Sequence, residues 1–338
     1  MEKGDRAMRD FFERPEIIKE AAATSREKNL VIEILIYLLV FLVASVAQII
    51  VLIPIFLVLL IRTPEFIALI QTIKVDSMPS VETINDMVQT MMGALTGDML
   101  LVILFATSAM IAAVIIYCRL IEKRKLRTLG LVKKGAVGEY FVGYLVGIVL
   151  ICVIIGLCLV TGALEFNGLS QNIAVGTLAL FFVGYLIQGM SEELLCRGYL
   201  MVSVARRYSL PVAIITNSLV FAALHLANPG ISVIAMVNLV LFGVLASIYM
   251  IKRGSIWGVG AMHSAWNFVL GNVFGIEVSG TIPSQSIFSV TITQKGLGGG
   301  AFGLEEGFGT TIIMFIAIIT VSLIGNKKNQ GEALPDMR

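Results

Sequence analysis

Charge is scarce in this chain. Only 14% of its 338 residues are Asp, Glu, Lys or Arg, while 57% are hydrophobic. Soluble domains carry about 25% charged residues, so this composition cannot coat a water-facing surface; it reads as an all-α, polytopic membrane protein with little mass outside the bilayer. Cysteine is sparse too. Cys118, Cys152, Cys158 and Cys196 all lie in or beside apolar runs, which argues against a disulfide framework, and their spacing suits no metal. A net charge of +2 gives no footing for nucleic acid. Histidine is rarer still, with only His225 and His263, and no His-Glu-x-x-His helix of the usual zinc-protease kind is present. The Gly-rich segment 296–309 lacks a Gly-Lys-Ser/Thr ending, so a flexible loop is expected there rather than a phosphate loop. The first apolar run is about twice as long as a signal-peptide core and is expected to stay as a membrane span.

What the chain does contain is eight apolar runs, at 30–61, 99–117, 140–160, 173–195, 211–226, 231–251, 256–274 and 310–324. Basic segments (the N-terminus, 119–134, 197–207, 252–253 and 327–338) alternate with connections nearly free of Lys and Arg. About eight transmembrane helices with both termini cytoplasmic satisfy the positive-inside rule at every turn. A multi-pass protein of the cell (plasma) membrane is expected. Residues 1–29 form a basic cytoplasmic N-terminus, with a short amphipathic helix resting Phe11, Phe12, Ile17 and Ile18 on the membrane surface. Residues 30–139 hold two spans, an outer loop with a possible helix at 81–92, and a basic cytoplasmic loop; Pro54 is expected to kink or end the first span. Residues 140–275 hold the chemistry-bearing spans, with a turn at Asn228-Pro229-Gly230. Residues 276–338 supply the outer Gly-rich loop, the last span and a basic cytoplasmic tail.

The chain is arranged around Ser191-Glu192-Glu193-Leu194-Leu195-Cys196-Arg197-Gly198. Charged side chains at a membrane helix centre cost roughly 2.5–3.5 kcal/mol, so such groups must face protein or a wet cavity and mark function by default. The plain alternative is a helix end at the interface from which Arg197 snorkels. At about 100° per residue, Glu193 and Arg197 share a face and can pair, while Glu192 points about 100° away. Glu192 is therefore expected to be the chemical group and Glu193–Arg197 its support. Both histidines lie in apolar spans, His225 four residues after Phe221 and His263 four before Asn267. A carboxylate and an imidazole can take a proton from water while a second imidazole and a carboxamide stabilise a developing oxyanion. Glu192, His225 and His263 could equally hold a divalent metal such as zinc.

Glu192-Glu193-x-x-x-Arg197, Phe221-x-x-x-His225 and His263-x-x-x-Asn267, in that order, resemble the CPBP family of intramembrane proteases (CAAX proteases and bacteriocin-processing enzymes, also called Abi or CAAX-protease-2). The resemblance covers residues 140–275. It implies a CAAX-protease-2-like core and a glutamate- or metallo-endopeptidase acting on a membrane-associated peptide or protein. Glu192 with His225 would activate water, and His263 with Asn267 would hold the oxyanion. It leaves the metal and the prenylation of the substrate open, and Cys196 departs from the aromatic residue that commonly precedes the motif arginine. Other readings are a proton- or ion-coupled transporter, for which no internal symmetry is found, and a catalytically silent membrane scaffold. One tension stands: His225 falls near the outer end of its run and Glu192 near the inner end of its own.

Overall fold

The computed structural model describes residues 13–24, 28–62 and 99–324, with isolated positions between 64 and 85. Apolar runs become helices because hydrocarbon offers no hydrogen-bond partner and the helix satisfies its own backbone. In chain order these are α1 (Glu16–Thr24), α2 (Leu30–Arg62), α3 (Met99–Ile121), α4 (Ala136–Val160), α5 (Val175–Ala205), α6 (Leu210–Leu224), α7 (Val233–Arg253), α8 (Trp257–Phe268) and α9 (Phe308–Leu323). Every one of the eight runs holds a helix. Five of these, α2, α3, α4, α5 and α7, are long and apolar enough to cross a membrane, as expected of an integral membrane protein. α6 and α9 are shorter, with 15 and 16 residues. The strands β1 (Leu164–Leu169) and β2 (Phe288–Ile292) pair antiparallel, Leu164 opposite Ile292, with a bulge between Phe166 and Gly168.

Four sequence expectations change. α2 runs through Pro54 to Arg62, so of the two outcomes expected at Pro54, a kink or an end, the end is ruled out. Its buried residues Glu33, Tyr37, Val40, Ala44 and Gln48 recur every three or four positions, so one face meets the protein and the apolar remainder is left for lipid. α1 forms, but Ile17 and Ile18 are buried in the protein core rather than laid on a membrane surface. Phe11, Phe12 and most of 81–92 lie outside the described residues. The segment 296–309 is folded: Gly296, Gly299 and Gly303 take positive φ, and Gly296 and Leu297 carbonyls accept from Phe308 and Gly309 at the start of α9. Finally, α5 does not stop near Leu195. It continues through a π-helical stretch, Leu194–Met201, to Ala205, which draws Arg197 off the expected basic surface and into the interior.

The helices place the connections at two ends. One end carries Lys28, Arg124, Arg206, Arg207, Lys252 and Arg253. There Glu122 and Glu33 are buried among cations: Lys28 Nζ to Glu122 Oε1 is 3.0 Å, Arg124 Nη1 to Glu122 Oε2 3.1 Å, and Arg206 Nη2 to Glu33 Oε1 2.7 Å. At the opposite end β1, β2 and the segment 274–308 pack over α7 and α8. Asn238 of α7 donates to the carbonyls of Glu305 and Gly307, and Trp266 of α8 to the Glu305 carboxylate.

Candidate active site

α5 and α6 are antiparallel and joined by a tight connection at 206–209, and this arrangement resolves the depth problem. Counted from Ala205, Glu192 stands about 20 Å up α5, and counted from Leu210, His225 stands about 22 Å up α6. The two are level because α5 extends far beyond the end its apolar run implied. Both line one cavity of about 570 Å³ open to the surroundings, walled by Leu195, Phe221 and Leu224 and, from outside the motif-bearing helices, by Tyr37, Phe41 and Met110.

The two adjacent acids differ in environment. Glu193 is wholly buried; its Oε1 accepts from Arg197 Nη1 at 2.9 Å and from His263 Nδ1 at 2.8 Å. Arg197 is equally buried, and its guanidinium lies 4.4 Å above the Phe221 ring, a contact that compensates for lost hydration. Glu192 keeps 27% of its side-chain surface exposed. Its Oε1 accepts from Gln188 Nε2 at 2.6 Å, and Gln188 Oε1 in turn accepts from Asn267 Nδ2 at 2.9 Å. Glu192 Oε2 has no hydrogen-bond partner among the described residues and lies 3.8 Å from His263 Nε2.

The imidazoles are fixed at one nitrogen each. His263 gives Nδ1 to Glu193, so Nε2 is the nitrogen turned toward Glu192. His225 gives Nδ1 to the Phe221 carbonyl at 2.8 Å, leaving Nε2 free for the cavity. Phe242 lies edge-on to His263 at 4.9 Å and to Trp266 at 5.6 Å. A smaller cavity brings His225 and His263 together with Trp266, Ser279 and Glu305. Burial pushes the Glu305 carboxyl above the ordinary carboxylate range, against the pull of its Ser279 and Trp266 donors.

Thus Glu192, Glu193, Arg197, His263 and Asn267 form one bonded or near-bonded set, and His225 joins it across the cavities. A metal fits this set poorly. Among the described residues no group of three or more His, Cys, Asp or Glu side chains could hold a metal ion, and Glu193, the acid nearest His263 Nδ1, is already taken by Arg197. Sequence reasoning missed Gln188 and Glu305. Gln188 was findable, as a carboxamide four residues before Glu192 in an apolar run; Glu305, in a Gly-rich connection, offered no local sign.

No curated protein and no solved structure matches the chain. Residues 174–269, which hold α5, α6, α7 and α8 and with them every residue of this set, match the family model of type II CAAX prenyl endopeptidases, Rce1-like, in agreement with the CAAX-protease resemblance that the three motifs carry.

Proposed function

We propose that the protein is an intramembrane endopeptidase in which Glu192 takes the proton of a water that attacks a peptide bond of a membrane-associated peptide or protein. The observation that carries this reading is the free Glu192 Oε2 standing 3.8 Å from His263 Nε2. Two acceptors at that separation both reach one water oxygen, which is the geometry a general base needs. Gln188 holds the other Glu192 oxygen, so Oε2 is the one turned to the work. The Glu193–Arg197 pair holds His263 by Nδ1 and presents Nε2.

The division of labour therefore differs from the expected one. His263, rather than His225, partners Glu192, and Asn267 acts on Glu192 through Gln188. As water adds to the carbonyl carbon its proton passes to Glu192, and the carbonyl π electrons move to oxygen. Collapse of that adduct breaks the C–N bond, and the departing nitrogen takes up the proton that Glu192 received from water, which returns the carboxylate to its starting state. His225, with Nε2 facing the cavity from the opposite wall, is placed to serve either the oxyanion or the departing nitrogen. A carrier reading finds less support, because the sequence shows no inverted-repeat symmetry and residues 174–269 match an endopeptidase family model. We place the protein in the plasma membrane with the basic end cytoplasmic, in line with the charge asymmetry.

The test uses purified protein in nanodiscs with a farnesylated and an unmodified peptide ending in a CAAX sequence. Glu192→Gln keeps the shape and loses the base, and turnover is expected to fall by about 10²–10⁴-fold, the usual contribution of a general base. A chelator is expected to leave the rate unchanged. Undiminished turnover by Glu192→Gln removes the assigned base, and loss of turnover with chelator, restored by metal, replaces it with a metal centre.

A further inference from the structure

Glu305 lies outside residues 174–269 and outside all three motifs, in the 3-10 turn Leu304–Glu306 ahead of α9. It is nevertheless buried, and both its oxygens are engaged. Oε1 accepts from Trp266 Nε1 at 3.0 Å; Oε2 accepts from the Ser279 backbone N–H at 2.6 Å and from Ser279 Oγ at 3.1 Å. Ser279 is itself tied the other way, its carbonyl accepting from Asn228 Nδ2 at 3.2 Å. Asn228 is three residues beyond His225, and Trp266 is three beyond His263. A continuous bonded chain, Asn228 to Ser279 to Glu305 to Trp266, thus joins the end of α6 to the face of α8, and the two imidazoles it spans share a cavity with Glu305 and Ser279.

An apolar residue would pin a loop at lower desolvation cost than a buried acid. What an acid adds is the ability to gather three donors from two separate elements and fix their mutual distance. We infer that Glu305 is a positioning residue for the imidazole pair, holding the His225 and His263 elements in register from a segment beyond the family-matched residues.

The inference rests on the endopeptidase reading only for its turnover measurement. The chain has only two histidines, so ring-labelled protein in nanodiscs gives two imidazole signals. Glu305→Gln presents an amide N–H to one of the donors it should accept from, and Trp266→Phe removes a single link while leaving the acid. Both are expected to move the His225 and His263 ring signals, and to lower kcat at least tenfold with KM within twofold; Glu305→Asp recovers part of kcat. Should Glu305→Gln fail to fold, Trp266→Phe carries the same test. Ring signals that stay in place in the folded variant overturn the inference, as does a fall in thermal stability with kcat unchanged. If the wild type cleaves neither peptide, the endopeptidase reading fails while the ring signals still decide the role of Glu305.

Discussion

Arg197 has no exposed surface, and its Nε and Nη2 have no hydrogen-bond partner among the described residues, yet its Nη1 meets Glu193 and its plane covers Phe221. A buried ion pair of this kind adds little net stability, but removing one partner strands the other charge. Arg197→Met is expected to cost about 3–5 kcal/mol, read as lowered thermal stability in detergent, and the double variant Glu193→Gln/Arg197→Met to recover part of the loss. A single variant as stable as wild type would show that Glu193 needs no counter-charge. At this scale the sequence was legible wherever chemistry clashed with surroundings. Glu192, Glu193, Arg197, His225 and His263 all stood out as polar groups in apolar runs. Which imidazole faces Glu192 was not legible, because one turn of helix either way exchanges the partners and only the packing of α8 on α5 decides it.

Among the elements, the closest packing is between α4 and α8. A Cβ on Gly143 would collide with the backbone carbonyl of Gly258, and one on Gly147 with that of Met262, next to His263. Small residues four apart are what let membrane helices approach this closely, and Gly143-x-x-x-Gly147 is readable in the sequence as such a face. Gly143→Ala is expected to destabilise by about 1–3 kcal/mol, because backbone cannot rotate away as a side chain can. It should also reduce turnover by displacing His263, and thermal unfolding with a peptide assay checks both. Element existence was legible from apolar runs alone. The end of α5 was not, since Arg197 reads as a surface residue until a partner is known, and the π-helical stretch carrying it has no sequence signature in this chain. The β1–β2 ribbon escaped for the same reason: even its closest paired positions, Leu169 and Phe288, are 119 apart in sequence.

The whole molecule is held at its basic end by a buried charge network that draws on α2, the turn after α3 and the end of α5. Burial raises the Glu122 carboxyl, but Arg206, Arg124 and Lys28 together outweigh it and leave it below its ordinary 4.5. A carboxyl depressed on folding contributes stability that is present above its unfolded value and lost as pH falls through the folded one. Thermal stability is therefore expected to fall below about pH 4.5, and Glu122→Gln to be less stable at neutral pH with a shallower acid decline. Equal acid slopes would take Glu122 out of that role. The charge asymmetry of the ends was legible from Lys and Arg positions; the inward turn of Glu33 and Glu122 was not, because their partners are remote in sequence. One consequence reaches beyond the protein itself. α6 and α9 extend only about 22–24 Å, against roughly 30 Å of hydrocarbon, so acyl chains alongside them must shorten or splay. A bilayer bordering α6, the helix that leads into His225, is therefore expected to be thinner there than beside α2 or α4.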